Sequence, residues 1–339
     1  MSSTASTALD RLLQQCLASL SSVQAGVPPP PHQLQQLCQL SAAVPLAELG
    51  FKDSYVHQPQ ALLSDLATSS PNHPLLRGEV TYLHIHENQS FTVGIFCIPA
   101  GRSIPLHDHP GMTVVSRLLF GSMHIKAFDW LDEVPISQQH SGSNTGCMPA
   151  STASASSPSP PHTPAPASPR GSVGTRSAQE GPLGGLQRAW AAATAVLTPP
   201  PAAPTPFSSN GQRMGVLRLD RLLTAPEDPL VLYPQSCNVH EFTAHTPCAV
   251  LDILTPPYEA NQGRNCTYFR PLPSGRGGRG EALADQLQAL QHPSKGVEQP
   301  AAAQQPAAAL HSLVPLQVTD ASWFHVRHAQ YTGVQPRLP

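Results

Sequence analysis

Two histidines stand one residue apart in His107-Asp108-His109, after an apolar run and before a Pro110-Gly111 turn. Along a β-strand the side chains alternate faces, so residues i and i+2 point the same way. A His-x-His pair at a strand end therefore offers two imidazoles to one metal, and neutral imidazole suits iron, zinc, copper and nickel. A second pair of the same form, His84-Ile85-His86, also sits in a strand-like run, but it lacks flanking glycines and a Pro-Gly turn. With 16 histidines in the chain, one histidine alone says little, and spacing has to decide.

The spacing around His107 is informative. Gly101 is followed by five residues, His107, one residue, His109, four residues, Val114, six residues and Gly121. This frame resembles the first motif of the cupin barrels, with one departure: a glutamate ligand is usual where Val114 stands. Without that carboxylate, a hard, oxygen-preferring metal such as manganese is disfavoured. A third ligand must come from a later strand. His240, entered from the Pro-containing turn at 233–236, is the candidate. His245 lies an odd number of residues further on and faces the other way on a regular strand. His124 shares a face with Lys126 and reads as a surface or packing residue.

The elements that must position these residues follow from periodicity. Residues 8–24 place Leu9, Leu12, Leu13, Cys16, Leu17 and Leu20 at helical spacing, and Pro28 to Pro31 end that helix. Leu34, Leu37, Leu40 and Val44 mark a second helix. The pair could bind a partner; packing against the main domain is the plainer expectation. From Val80 the period becomes two. Runs at 80–86, 91–99, 113–120, 122–130, 214–219, 230–233, 239–244 and 249–254 read as short strands, with turns at Glu87-Asn88-Gln89-Ser90 and at Gly121. Short strands so spaced suggest a sandwich or small barrel, and 322–327 offers a closing strand.

Residues 138–212 and 274–315 are rich in Ala, Pro, Ser, Gln and Gly and bury too little apolar surface to offset their ordering entropy. We expect two disordered insertions, the first with a short helix at 186–196. Loop-closure cost grows slowly with length, so a hairpin loop tolerates such an insertion. The expected organisation is a helical segment at 8–48 packed on a barrel domain at 75–273, interrupted at 138–212. A low-complexity stretch at 274–315 and a closing segment at 316–339 complete it.

Charged residues are 12% of the chain and the net charge is −2, which argues against nucleic acid and anionic membranes as partners. Seven scattered cysteines with no Cys-x-x-Cys pair argue against a disulfide framework and a structural zinc site. The first residues lack a basic-then-apolar leader, and no apolar run approaches the roughly 20 residues of a membrane span. A soluble protein in a reducing compartment is expected.

Longer stretches carry a more specific resemblance. Gly94-Ile-Phe-Cys-Ile-Pro-Ala-Gly101, the His107/His109 segment through Val114, and Leu118-Leu-Phe-Gly-Ser-Met-His-Ile-Lys-Ala-Phe-Asp-Trp130 match in order. So do Asn238-Val-His240-Glu-Phe-Thr-Ala244 and Cys248-Ala-Val-Leu-Asp252-Ile-Leu-Thr-Pro-Pro-Tyr258. Together they resemble the plant cysteine oxidases, which stand with the cysteamine dioxygenases among cupin-fold thiol dioxygenases. The resemblance is close over 80–130 and 214–270 and loose over the N-terminal helices. It implies a mainly β fold: a double-stranded β-helix (cupin or jelly-roll barrel) with N-terminal helices, here carrying the two insertions.

The resemblance further implies non-haem Fe(2+) held by His107, His109 and His240. Its substrates would be O2 and an N-terminal cysteine of a protein, oxidised to the sulfinic acid. That product would feed the arginine N-degron pathway, making the enzyme an oxygen sensor, monomeric, in cytoplasm and nucleus, with no nucleic-acid or membrane partner. Three neutral imidazoles leave the metal its full charge, which favours an anionic sulfur, and the sulfinic rung has no general reversal.

In the family an aspartate at the place of Asp252 lies near the iron, with hydrogen bonding to the substrate amine or to metal-bound water as its role. A turn at Thr246-Pro247 leaves its orientation open, and its plainer role is to stabilise a turn. Tyr258 matches a tyrosine near the pocket; its plainer role is packing. Cys266 and Tyr268 match the place where an animal relative can form a Cys–Tyr crosslink; the residues carry over, and not the crosslink. Two alternatives stay open: a small-thiol dioxygenase acting on cysteamine or free cysteine, and a metal-binding cupin scaffold without turnover.

Overall fold

The computed structural model describes residues 6–70, 73–76, 78–131, 211–272 and 313–338. The eight period-two runs form strands and further strands join them: β1 Val80–Glu87, β2 Thr92–Ile98, β3 Ser103–His107, β4 Thr113–Phe120, β5 Ser122–Trp130, β6 Gln212–Thr224, β7 Leu230–Leu232, β8 Val239–Ala244, β9 Cys248–Thr255, β10 Phe269–Pro271, β11 Leu313–Val318 and β12 Val326–Ala329. They make two six-stranded sheets, in the orders β12-β1-β2-β9-β4-β7 and β10-β11-β6-β5-β8-β3. The chain passes repeatedly from one sheet to the other, which is the double-stranded β-helix.

Alternation along the first sheet separates two cores. Tyr82, Phe96, Ile98, Val114, Leu118, Val250 and Leu254 pack into the barrel interior with Ile125 and Phe242 of the second sheet. Their sequence neighbours Leu83, Val93, Ile95, Val115, Leu119, Leu251 and Ile253 point outward. This outer face is covered by α1 Ala8–Leu20 and α2 Pro31–Ala43, whose Leu9, Leu12, Leu13, Cys16, Leu34 and Leu37 join the same cluster. Thr7 and Asp10 form a reciprocal capping box at the start of α1. Arg117, outward on β4, donates to the carbonyls of Ser41 and Val44 and so fixes the end of α2 to the sheet.

The helical layer runs further than the expected 8–48. Two 3-10 turns, Leu46–Leu49 and Asp53–Val56, lead into α3 Pro59–Thr68, which buries only Leu62 and Leu66. Strands also reach into the stretches expected to be low in complexity. Gln212 opens β6, and β11 begins at Leu313, so the expected boundary at 315/316 falls within a strand. Residues 313–315 are held because Leu313, Val314 and Pro315 register with Val216, Gly215 and Met214 of β6. The rest of the two insertions, with the helix expected at 186–196, lies outside the described residues. Among those residues no helix is long and apolar enough to cross a membrane.

Candidate metal centre

His107 and His240 come from adjacent strands of the second sheet, where they are cross-strand partners. His240 faces inward by alternation, with Phe242 and Ala244 in the interior cluster and Val239 in the outer one. His107 needs a further device. Ile104 is inside and Leu106 is outside, and the register shifts between Ile104 and His107. Such an irregularity re-aims a side chain, and here it leaves His107 pointing in.

His109 departs from the expected geometry. β3 ends at His107, so strand alternation does not aim the second histidine. Asn238 does. Its Oδ1 accepts from the His109 backbone N–H at 3.0 Å, and its Nδ2 donates to the carbonyls of His109 at 2.8 Å, Tyr233 at 3.1 Å and Met112 at 3.3 Å. Asp108, between the histidines, accepts from the backbone N–H of Thr267 through Oδ1 at 2.8 Å, while its own N–H donates to the Thr267 carbonyl at 3.1 Å. Behind Asn238, Asp129 accepts from Cys237 N–H at 2.5 Å and pairs with Arg218 at 2.7 Å. Asn238 opens the stretch Asn238–Ala244 that carries the family resemblance, and the resemblance implies no role for it. A short amide side chain two residues before the candidate ligand was the available signal.

The three rings lie with centroids 4.6–4.9 Å apart. One ligand atom from each falls within 4.8 Å of the others, the one such group among the described residues. All three are buried. Burial lowers the His107 pKa to about 4 and holds His109 and His240 well below the usual imidazole range, with the neighbouring rings adding to the effect in the latter two. The set is therefore neutral. The His107 Nδ1–H donates to the Pro105 carbonyl at 2.7 Å. Tyr258 O–H donates to the Asp108 carbonyl at 2.9 Å, and its oxygen accepts from His109 Nδ1–H at 2.7 Å. These bonds fix two rings as metal-ligating histidines are commonly fixed. His109 Nε2 and His240 Nδ1 are buried with no hydrogen-bond partner. Neutral rings, two pinned orientations and the orphaned lone pair on His109 Nε2 fit a divalent metal that accepts imidazole.

The other expected residues divide. Val114, at the place of the missing glutamate, is buried in the apolar interior cluster. Asp252 follows the inward parity of Val250 and Leu254 and lines the same cavity as the three histidines from the opposite sheet. Burial raises its carboxyl pKa to about 7, against the lowering effect of a Ser116 hydrogen bond. Tyr258 also lines that cavity. The Cys266 thiol is free and hydrogen-bonded with the hydroxyls of Tyr258 and Tyr268, and burial pushes its pKa up. Tyr268 forms an isolated β-bridge with His107. His84 and His86 stay out of the cluster; a register shift between them breaks their common facing. His124 pairs with Asp220 at 2.7 Å, and His245 is exposed beyond the end of β8.

A family model described as PCO_ADO matches residues 45–173 and 189–335. Plant cysteine oxidase 1 of Arabidopsis thaliana is 30% identical over 269 residues, covering 79% of this chain and 64% of that protein. Plant cysteine oxidase 2 of the same organism is 33% identical over 195 residues, covering 57% and 45%. The 2-aminoethanethiol dioxygenase of Homo sapiens is 30% identical over 243 residues, covering 71% and 66%. The chain thus spans less than two thirds of the length of each of these relatives.

Proposed function

The chain belongs to the PCO_ADO family, and from that premise we propose that it is an Fe(II)-dependent dioxygenase acting on the N-terminal cysteine of target proteins. The observation that carries this reading is the buried, neutral set of His107, His109 and His240, without a carboxylate at Val114. Bound Fe(II) would supply the redox chemistry that O2 requires and, as a Lewis acid, would favour the thiolate form of the substrate. Both atoms of O2 end on sulfur, turning the thiolate into a sulfinate, so no outside reductant is needed.

The protein's own part is positioning and exclusion. Pro105 and Tyr258 hold two of the imidazoles by their Nδ1 protons. Phe96, Ile104, Phe242 and Leu254 line the cavity and keep water from the reacting sulfur. Asp252 offers a carboxyl oxygen without a hydrogen-bond partner, which suits it to accept from the substrate amine. In this reading the irreversible product serves as an oxygen-dependent signal for the arginine N-degron pathway, and the enzyme works as a monomer in cytoplasm and nucleus.

A second reading has a specific ground, the likeness to a 2-aminoethanethiol dioxygenase: a small thiol in place of the peptide. Both are tested by incubating the Fe(II)-loaded chain in air with a peptide that begins with Cys and, separately, with cysteamine. The first reading expects two oxygen atoms added to the peptide at the higher kcat/KM. Gain on cysteamine alone would overturn it in favour of the second.

A further inference from the structure

Tyr82 is fully buried inside the barrel, yet its hydroxyl has no hydrogen-bond partner among the described residues. An unpaired buried hydroxyl is costly unless something else satisfies it. Gly94 tells where that hydroxyl lies. A Cβ at Gly94 would stand 2.1 Å from the Tyr82 oxygen, so the phenol occupies the space that a side chain of residue 94 would fill. Gly94 is the cross-strand partner of Asp252, and Ser116 is the partner on the other side. The inward row across the sheet therefore reads Tyr82 hydroxyl over Gly94, Asp252, Ser116. Asp252 Oδ1 is likewise buried and unpartnered. Both residues line the cavity that also receives the three histidines.

We propose that Tyr82 is a second acceptor, beside Asp252, for the α-ammonium group of the substrate, with Gly94 as the residue that makes room for its hydroxyl. This rests on the reading of the chain as an N-terminal-cysteine dioxygenase. In such a substrate the amine is separated from the sulfur by two carbons, so a sulfur held at the histidines keeps the amine within the same cavity. An ammonium group has three N–H donors. The Asp252 carboxylate accepts one and the Tyr82 oxygen a second, which satisfies both orphaned atoms at once. Glu87 lines the same cavity with a half-buried carboxyl and is the competing acceptor.

The test measures binding without turnover. The Fe(II)-loaded chain, under argon, is titrated calorimetrically with a Cys-initiated peptide carrying either a free or an acetylated amino group. The free amine is expected to bind at least about tenfold tighter, the worth of a hydrogen bond to a charged group. Tyr82→Phe keeps the ring and should shrink that ratio to about threefold or less, leaving the acetylated peptide's affinity unchanged; Gly94→Ala should act in the same direction. Glu87→Gln should leave the ratio as it is. A Tyr82→Phe variant with the full ratio, a wild type without any preference, or a ratio lost in Glu87→Gln instead overturns the subsite. A wild type that shows the preference and its loss in Tyr82→Phe, yet leaves the peptide unoxidised in air, supports the subsite and overturns the proposed activity.

Discussion

Asn238 holds both the N–H and the C=O of His109 and reaches the carbonyls of Met112 and Tyr233 as well. Truncation would leave those backbone groups unpaired in the interior. We expect Asn238→Ala to cost about 2–4 kcal/mol of stability and to weaken metal binding by about 10–100-fold, the range seen when a ligand loses its support. Denaturant melts and competitive metal titration read the two effects, and unchanged metal affinity would show that His109 is aimed by something else.

The same residues set a pH dependence in the metal-free chain. His107 titrates at about 4 when folded, against 6.5 for a free imidazole. Between those values the unfolded chain binds a proton that the folded chain refuses. Its stability is therefore undiminished above pH 6.5 and falls by about 3 kcal/mol as the pH drops to 4; His109 and His240 act in the same direction. Asp252 opposes them. Its folded pKa is raised from 3.8 to about 7, so its contribution declines as pH rises through that window. Urea melts from pH 4.5 to 6.5 should show stability rising with pH, and rising more steeply in Asp252→Asn. A flat profile in the variant would contradict the burial of neutral histidines.

At the scale of elements, the sheet's outer face and the helices form a layer separate from the metal centre. Arg117 joins them by donating to the last carbonyls of α2, where a cation also complements the helix dipole. Arg117→Ala should lower stability by about 2–3 kcal/mol and leave metal affinity within twofold. A tenfold loss of metal would mean that the helical layer shapes the site. The sequence expressed some of these elements far better than others. β4 and β5 fall where period two and Gly121 put them, because Gly121 adopts a positive φ of 83° and a Cβ there would meet the Pro247 carbonyl at 2.4 Å. α3 was hidden because Leu62 and Leu66 are too few to set a period. β11 was hidden by its proline and by the low-complexity stretch before it. The aim of His109 depends on a residue 129 positions away, which no local pattern contains. Asp252 could not be oriented from His240 by counting, since β8 and β9 lie in different sheets.

At the scale of the molecule, the barrel brings the two ends of its longest connection together. β5 and β6 stay paired as far as Trp130 and Gly215. A short Gly-containing turn in place of residues 135–209 should therefore preserve the fold and the metal affinity, and should raise stability by about 2 kcal/mol through cheaper loop closure. Loss of metal binding in that variant would assign the connection a part in the site. The centre itself draws on both sheets, with His107 and His240 on one, Asp252 on the other, and His109 on the loop between β3 and β4. The most direct test of the account follows the oxygen. The Fe(II)-loaded chain is incubated under isotopically heavy O2 with a Cys-initiated peptide, and the product is weighed by mass spectrometry. The account predicts a sulfinate in which both oxygen atoms are heavy, and no such product from His240→Ala. A peptide that gains no heavy oxygen, or only one with the other drawn from water, would contradict it.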